Sequence, residues 1–239
     1  MFNKNKIRLS GDGVFYSLQG EGNSIGRPAV FIRLHACNLR CVWCDTPYAV
    51  FPGDERYKRE CYVRKISDVA ETIMSMWPKS NLGMKRLVIT GGEPLIQKKI
   101  LDKLIDLLPN WLIEIETNGT IMPTRKQKKR CIFNCSPKLL NSGNEERLRY
   151  KPAILKALIK LPATTFKFVV SDPKDLTEIE DNYVRCLNIP IDSVILMPLG
   201  TKVTDLRKHM QAVAEYAKQK GYRVLSRLQI DIWKNKRKT

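Results

Sequence analysis

The stretch GRPAVFIRLHACNLRCVWCDT, residues 26–46, joins two readings, and their junction sets the architecture. Its first half, opened by a Gly/Pro breaker, is a short apolar run and reads as a β-strand. Its second half carries Cys37, Cys41 and Cys44 in a C-x-x-x-C-x-x-C spacing. The cysteines therefore occupy the loop beyond a strand's carboxyl end, where α/β proteins collect their ligands.

The pattern repeats along the chain. KRLVIT (85–90) reads as a buried strand and runs into GGEP; WLIEIET (111–117) runs into NGT, CIFNC (131–135) into SPK, and DSVILMP (192–198) into LG. TTFKFVVS (164–171) is a further strand, and YRVLSRLQIDIW (222–233) reads as a last one. Between them, Ile66, Val69, Ala70, Ile73, Met74 and Trp77 fall at helical spacing before Pro78, and Leu101, Leu104, Ile105 and Leu108 before Pro109. Helices over about 174–187 and over 202–220 complete an alternation of strand and helix. This predicts an α/β fold with a mostly parallel sheet and five distinctive loops on one rim. No internal repeat or low-complexity linker interrupts residues 1–239, which read as one domain.

The chain has 239 residues, 43% of them hydrophobic, as expected for a globular protein with a sizeable core. MFNKNKIRLS is polar and lacks the apolar centre of a signal peptide, and no stretch approaches the ~20 apolar residues of a membrane helix. A cytoplasmic protein without membrane partners is expected. Seven cysteines, unevenly spaced, argue against a disulfide framework and for a metal or catalytic cluster. Lys and Arg exceed Asp and Glu by 42 to 24, a net charge of +18. The runs RKQKKR (125–130) and KNKRK (234–238) have no interleaved aromatics and accompany no nucleic-acid-binding motif. A solvated basic surface is the preferred reading, and nucleic acid is not an expected partner.

Three cysteines leave the metal question open. Structural zinc takes four ligands, and neither His35 nor Cys61 stands at a common finger spacing from the triad. An iron–sulfur cube held by three thiolates leaves one iron free, which is useful only where another ligand binds it. After its strand, TGGEP (90–94) offers a Gly-Gly turn for close backbone approach and, at Glu93, a carboxylate able to bind an ammonium group.

The cysteine spacing with Trp43 before the last cysteine, followed about fifty residues later by TGGEP, resembles the radical S-adenosylmethionine superfamily. FYSLQGEG (15–22), residues 26–46, TGGEPLIQ (90–97), IEIETNGT (113–120), SPK (136–138) and LQIDIWKNKR (228–237) together resemble the 7-carboxy-7-deazaguanine synthase family over nearly the whole chain.

That resemblance implies a partial (β/α)6-type parallel barrel. It also implies radical-mediated ring contraction of 6-carboxy-5,6,7,8-tetrahydropterin to 7-carboxy-7-deazaguanine with loss of ammonia. The implied cofactors are a 4Fe–4S cluster on Cys37, Cys41 and Cys44, S-adenosylmethionine as ligand of the open iron, and Mg²⁺ on the Thr46 hydroxyl. By sequence chemistry alone Thr46 reads as a turn cap. The resemblance assigns Gly91, Gly92, Glu93, Asn118, Ser136, Pro137, Lys138, Met197, Pro198 and Gly200 to S-adenosylmethionine. It assigns Leu18, Gln19, Gly20, Glu21, Arg33, Thr90, Gln229 and Thr239 to the substrate. By strand alternation Arg33 shares a face with Phe31 and His35, and its guanidinium suits a substrate carboxylate.

A flavodoxin-type electron donor and a homodimer are the implied partners, and the run 125–130 is one candidate docking point for the donor. The chain departs from the family at Leu199, where a glutamate is usual, and at Gln229, where a histidine is usual. Cys131 and Cys135 read as small core residues. A glycyl-radical activase and a basic nucleic-acid module with a structural metal are the rival readings. The first lacks SLQGEG and the CDT threonine, and the second does not account for TGGEP.

Overall fold

The computed structural model describes residues 5–234 and 236. Among these residues nine strands form one sheet: β1 (Lys6–Leu18), β2 (Pro28–Leu34), β3 (Cys61–Lys65), β4 (Arg86–Gly91), β5 (Leu112–Thr117), β6 (Cys131–Cys135), β7 (Thr165–Val170), β8 (Val194–Pro198) and β9 (Arg223–Val224). Their order is β3-β1-β2-β4-β5-β6-β7-β8-β9. β1 pairs antiparallel with β2 and β3, and every neighbour pair from β2 to β9 is parallel. The sheet is open, so the fold is an incomplete α/β barrel of the expected kind.

The α-helices among the described residues are α1 (Pro47–Val50), α2 (Glu55–Arg59), α3 (Ile66–Met76), α4 (Lys98–Leu107), α5 (Arg125–Arg130), α6 (Glu146–Arg149), α7 (Pro152–Ile159), α8 (Pro173–Glu178, continued by a π-helical segment over Ile179–Arg185), α9 (Val203–Lys220) and α10 (Leu228–Trp233). Leu101, Leu104 and Ile105 of α4 and Val69, Ala70 and Ile73 of α3 pack on the outer face of the sheet. There they meet Ile32, Leu87, Ile89, Ile113 and Ile115, all fully buried. Period-two alternation therefore sends one set of side chains outward to the helices and the other set inward. The inward set mixes apolar residues such as Phe31 and Met197 with Arg33, Thr90, Glu116, Asn134 and Lys167, and it makes the site.

One sequence expectation changes. The run 222–233 is not one strand: pairing stops after Val224, and residues 228–233 are α10. The alternating Leu228, Ile230 and Ile232 mimic a strand, yet Ile230 is fully buried and Ile232 is exposed. The Leu228 amide donates to the Gly20 carbonyl (3.1 Å), which turns the tail across the mouth of the barrel. β1 runs without a break through Ser-Gly-Asp-Gly. Gly11 and Gly13 have φ of 61° and 64°, and the register shifts between Leu9 and Val14, so the glycines build a bulge within the strand. The basic run 125–130, given no element from sequence, is helix α5, fixed by a reciprocal capping box between Thr124 and Gln127.

Candidate active site

The inward face and the rim loops enclose a cavity of about 560 Å³. Its wall includes Cys37, Cys41, Cys44 and Thr46 from the cysteine loop, Leu18, Gln19, Gly20 and Glu21 from the β1–β2 turn, and Arg33, Thr90, Gly91 and Gly92 from β2 and β4. Asn118, Ser136, Lys138, Met197, Pro198, Gly200 and Gln229 complete the predicted residues found there. Residues far apart in sequence thus meet because parallel strands all present their carboxyl ends to one rim.

Two predicted residues do not line the cavity. Pro137 is buried beneath Ser136 and Lys138. Glu93 is fully buried, and its carboxylate accepts from the Leu95 amide (3.0 Å), the Thr117 hydroxyl (2.9 Å) and the Asn118 amide (2.7 Å). Burial pushes the Glu93 carboxyl up, opposed by these three donors. The side chain ties the β4 loop to the β5 loop, leaving backbone rather than carboxylate on the cavity wall. Thr239 lies outside the described residues. His35 also departs from its expected face: β2 ends at Leu34, Ala36 adopts φ 79°, and the imidazole packs on Tyr57 with ring centroids 4.2 Å apart.

The two glycines of TGGEP serve the chain's own packing. A Cβ on Gly91 would lie 2.2 Å from the Leu34 carbonyl oxygen, and one on Gly92 would lie 2.1 Å from the Ala36 carbonyl oxygen. The Gly92 amide donates to the Leu34 carbonyl (3.1 Å) and the Glu93 amide to the Ala36 carbonyl (2.9 Å). These contacts set the start of the cysteine loop against the end of β4.

No three His, Cys, Asp or Glu side chains among the described residues converge on a single-ion site. A cube places each thiolate on a different iron, so it does not require that convergence. The sulfur environment fits such a group. The Leu39 amide donates to Cys37 Sγ (3.4 Å), the Asn144 amide group donates to Cys41 Sγ (3.4 Å), and Cys44 Sγ contacts the Thr46 hydroxyl (3.7 Å). Burial pushes the Cys37 thiol up to about 11 and raises Cys44 as well. A bound cationic metal group displaces such protons and compensates the buried thiolate charge. Thr46 precedes α1 at its N-cap, yet its side chain caps nothing. The turn-cap reading is therefore not realised, and the hydroxyl sits on the cavity wall.

Charge in the cavity is arranged unequally. Arg33 lies over the Phe15 ring at 5.8 Å and makes no ion pair among the described residues. Lys138 also makes none; its ammonium donates to the Ser136 carbonyl (2.8 Å) and hydroxyl (2.9 Å) beneath Trp43. Both cations suit anionic ligands. Glu21, by contrast, is shared among Lys167, Arg227 and Gln229. Burial would raise the Glu21 carboxyl, but the Lys167 and Arg227 charges outweigh it and hold the group far below the usual carboxylate range. Arg227 further donates to the Gly200 carbonyl (3.0 Å) and to Asp45, so one guanidinium joins three rim loops.

Sequence reasoning missed Glu116, Lys167, Asn134 and Arg227, all on the wall. Glu116 accepts from Gln19 (3.0 Å) and from Thr90 (2.8 Å). One level deeper, Glu114 accepts from Ser24 (2.7 Å), Asn134 (3.0 Å) and Arg86. The signal was present: IEIE at 113–116 and FKF at 166–168 alternate charged and apolar residues inside strands otherwise suited to a buried sheet. A charge is retained at such a position only with a partner or a ligand.

This combination of barrel, cysteine loop and cavity defines a class. The family model described as the radical SAM superfamily matches residues 31–130. Relatives narrow it further. A 7-carboxy-7-deazaguanine synthase from Pyrobaculum aerophilum is 37% identical over 94% of this chain and 94% of its own length. One from Rhodopirellula baltica is 38% identical over 94% of this chain and 86% of its own. The crystal structure of QueE from Escherichia coli superposes with a TM-score of 0.67 at 22% identity, over 93% of this chain and 94% of that one, and shares the fold. The chain belongs to the 7-carboxy-7-deazaguanine synthase family.

Proposed function

We propose that the chain converts 6-carboxy-5,6,7,8-tetrahydropterin to 7-carboxy-7-deazaguanine with loss of ammonia, all 239 residues acting as one catalytic unit. The carrying observation is that one cavity brings the three thiols of the cysteine loop beside Arg33, which has no ion pair among the described residues, and the carboxylate of Glu116. When bound, the 4Fe–4S cluster and S-adenosylmethionine supply a radical that abstracts hydrogen from substrate. The chain's own residues bind, orient and shield.

Cys37, Cys41 and Cys44 would hold the cluster. The Gly91–Gly92 backbone would receive the cofactor's ammonium, and Lys138, with Ser136 and Asn118, its carboxylate and ribose. Met197 and Pro198, with Gly200, would face the adenine. Leu199 at this rim brings no charge to it. Pro137 and Glu93 act from behind, by fixing the loops that carry these groups.

For the substrate, Arg33 pairs with the carboxylate. Glu116, already oriented by Gln19 and Thr90, presents acceptors to the amino-pyrimidinone edge. Phe15 and Phe31, stacked at 5.1 Å with a 7° interplanar angle, give a flat apolar wall for a planar ring. The turn at Leu18, Gln19, Gly20 and Glu21 closes over it, locked by Gln229. Thr46 would offer one hard oxygen to Mg²⁺, which would supply positive charge beside the substrate carboxylate. A flavodoxin-type donor, a homodimer and a cytoplasmic setting belong to this reading.

The donor is not expected at α5. Its last turn leads into the amino end of β6, and Ser136 at the cavity lies beyond that strand, about 16 Å away at ~3.3 Å per residue. The deciding experiment is an anaerobic assay. It uses reconstituted protein, S-adenosylmethionine, Mg²⁺, reductant and the carboxytetrahydropterin, with mass spectrometry for 7-carboxy-7-deazaguanine. Product that disappears in Cys41→Ala supports the reading. Cleavage of S-adenosylmethionine without product overturns the substrate, and zinc in place of iron overturns the class.

A further inference from the structure

The cysteine loop is covered on its outer side by the segment that follows β6. The Val42 amide donates to the Ser142 carbonyl (3.0 Å), the Trp43 indole to the Asn141 carbonyl (3.0 Å), and the Arg40 amide to Asn144 Oδ1 (2.8 Å). Asn144 is 7% exposed and holds both ends of its side chain in use. Its Oδ1 accepts from Arg40, and its Nδ2 points to Cys41 Sγ at 3.4 Å while also reaching the Ser142 hydroxyl at 3.2 Å. Its carbonyl accepts from the buried Arg149 (3.2 Å), which also donates to the Lys138 carbonyl (3.0 Å) and pairs with Glu178. Gly143 before it sits at φ 74°, a turn that aims the asparagine back at the cysteine loop. The amide is thus fixed from three sides before any cluster is present.

We infer that Asn144 is a positioning residue for the cluster: its amide hydrogen bond to the Cys41 thiolate sets the cluster's reduction potential. Neither the cysteine motif nor the roles assigned to the cavity residues include it. Hydrogen bonds to ligating sulfur withdraw electron density and favour the reduced state, so the potential rises with each one. Cys37 has its backbone donor at Leu39 and only a long contact from Asn118 (3.9 Å), and Cys44 has the Thr46 hydroxyl at 3.7 Å, so among the described residues Asn144 is the side-chain donor nearest to one of the three cysteine sulfurs.

The inference rests on the cluster reading above, and the test separates the two. Asn144→Leu keeps the shape, adds no charge and removes the donor. Asn144→Ser is smaller and cannot span to the sulfur. Both are reconstituted anaerobically with iron and sulfide, analysed for metal content, and titrated by EPR-monitored redox potentiometry. A tenfold shift toward the oxidised state, 59 mV more negative for one electron, is expected in each variant with iron and sulfide content equal to wild type. Full loading with unchanged potential in both variants overturns the inference. Failure of both to load, while their circular dichroism matches wild type, also overturns it and makes Asn144 a determinant of assembly. A wild-type protein that takes up no cluster overturns the cluster reading itself.

Discussion

The ion cluster around Glu21 gives the sharpest quantitative test of how the mouth of the barrel is held. Glu21→Gln removes one charge that faces two cations. The side chains of Glu21, Lys167 and Arg227 are 13%, 12% and 11% exposed, so water does little to compensate the loss. Removing one partner of a buried pair costs about 3–5 kcal/mol, because the other charge stays buried. Here Arg227 keeps Asp45, and Lys167 keeps the nearby charge of Glu116, which places the expected loss near the lower end, about 3 kcal/mol. For a chain of this size 1 kcal/mol moves Tm by about 2–4 °C, so Tm should fall by roughly 6–12 °C at neutral pH.

The sign with pH follows from the depressed Glu21 carboxyl. Its contribution is complete above the unfolded value of 4.5 and is lost as pH falls toward the much lower folded value. The gap between wild type and Glu21→Gln should be constant from pH 8 to about pH 5 and narrow below that. Thermal unfolding of the metal-free protein across this range measures it. Adding Lys167→Met to Glu21→Gln should recover part of the stability, since the stranded ammonium is gone. A Tm change of less than about 2 °C at pH 7, or a gap that widens on acidification, would refute the reasoning.

Other outcomes follow from the same geometry. Gly92→Ala puts a methyl group against the Ala36 carbonyl and should displace the cysteine loop, reducing iron incorporation several-fold in a fold that remains α/β by circular dichroism. Arg33→Met should raise KM for the pterin by roughly 10- to 150-fold, the equivalent of about 1.5–3 kcal/mol for charged hydrogen bonds, with a smaller effect on kcat; steady-state kinetics at saturating cofactor read this. Thr46→Ala should abolish stimulation by Mg²⁺ while leaving iron content unchanged, as measured by activity against Mg²⁺ concentration. Lys128→Glu with Lys129→Glu should leave turnover within about twofold with chemical and protein reductants alike, because α5 leads to the far end of β6.

The legible part of this protein is local chemistry. Cysteine spacing, the glycine pair and the placement of motifs after apolar runs are all written within short windows, and backbone periodicity carries them onto one rim. The alternation of strands and helices was readable because the outward faces, such as Ile113 and Ile115 of β5, are simply apolar. The inward face was less legible. Glu116 and Lys167 look like surface residues until a curved sheet turns them toward a common cavity.

Only the tertiary structure decided three further points. Glu93 faces buried donors rather than the cavity, because the β4 and β5 loops meet over it. Residues 228–233 coil into α10 because the tail hydrogen-bonds to Gly20 instead of extending the sheet. Asn144 reaches Cys41 across a separation of 103 residues, and no local pattern marks a pair like that. The physical reason is common to all three. Backbone propensity and apolar period act over a few residues, whereas a buried polar group takes whichever partner the whole fold brings within about 3 Å.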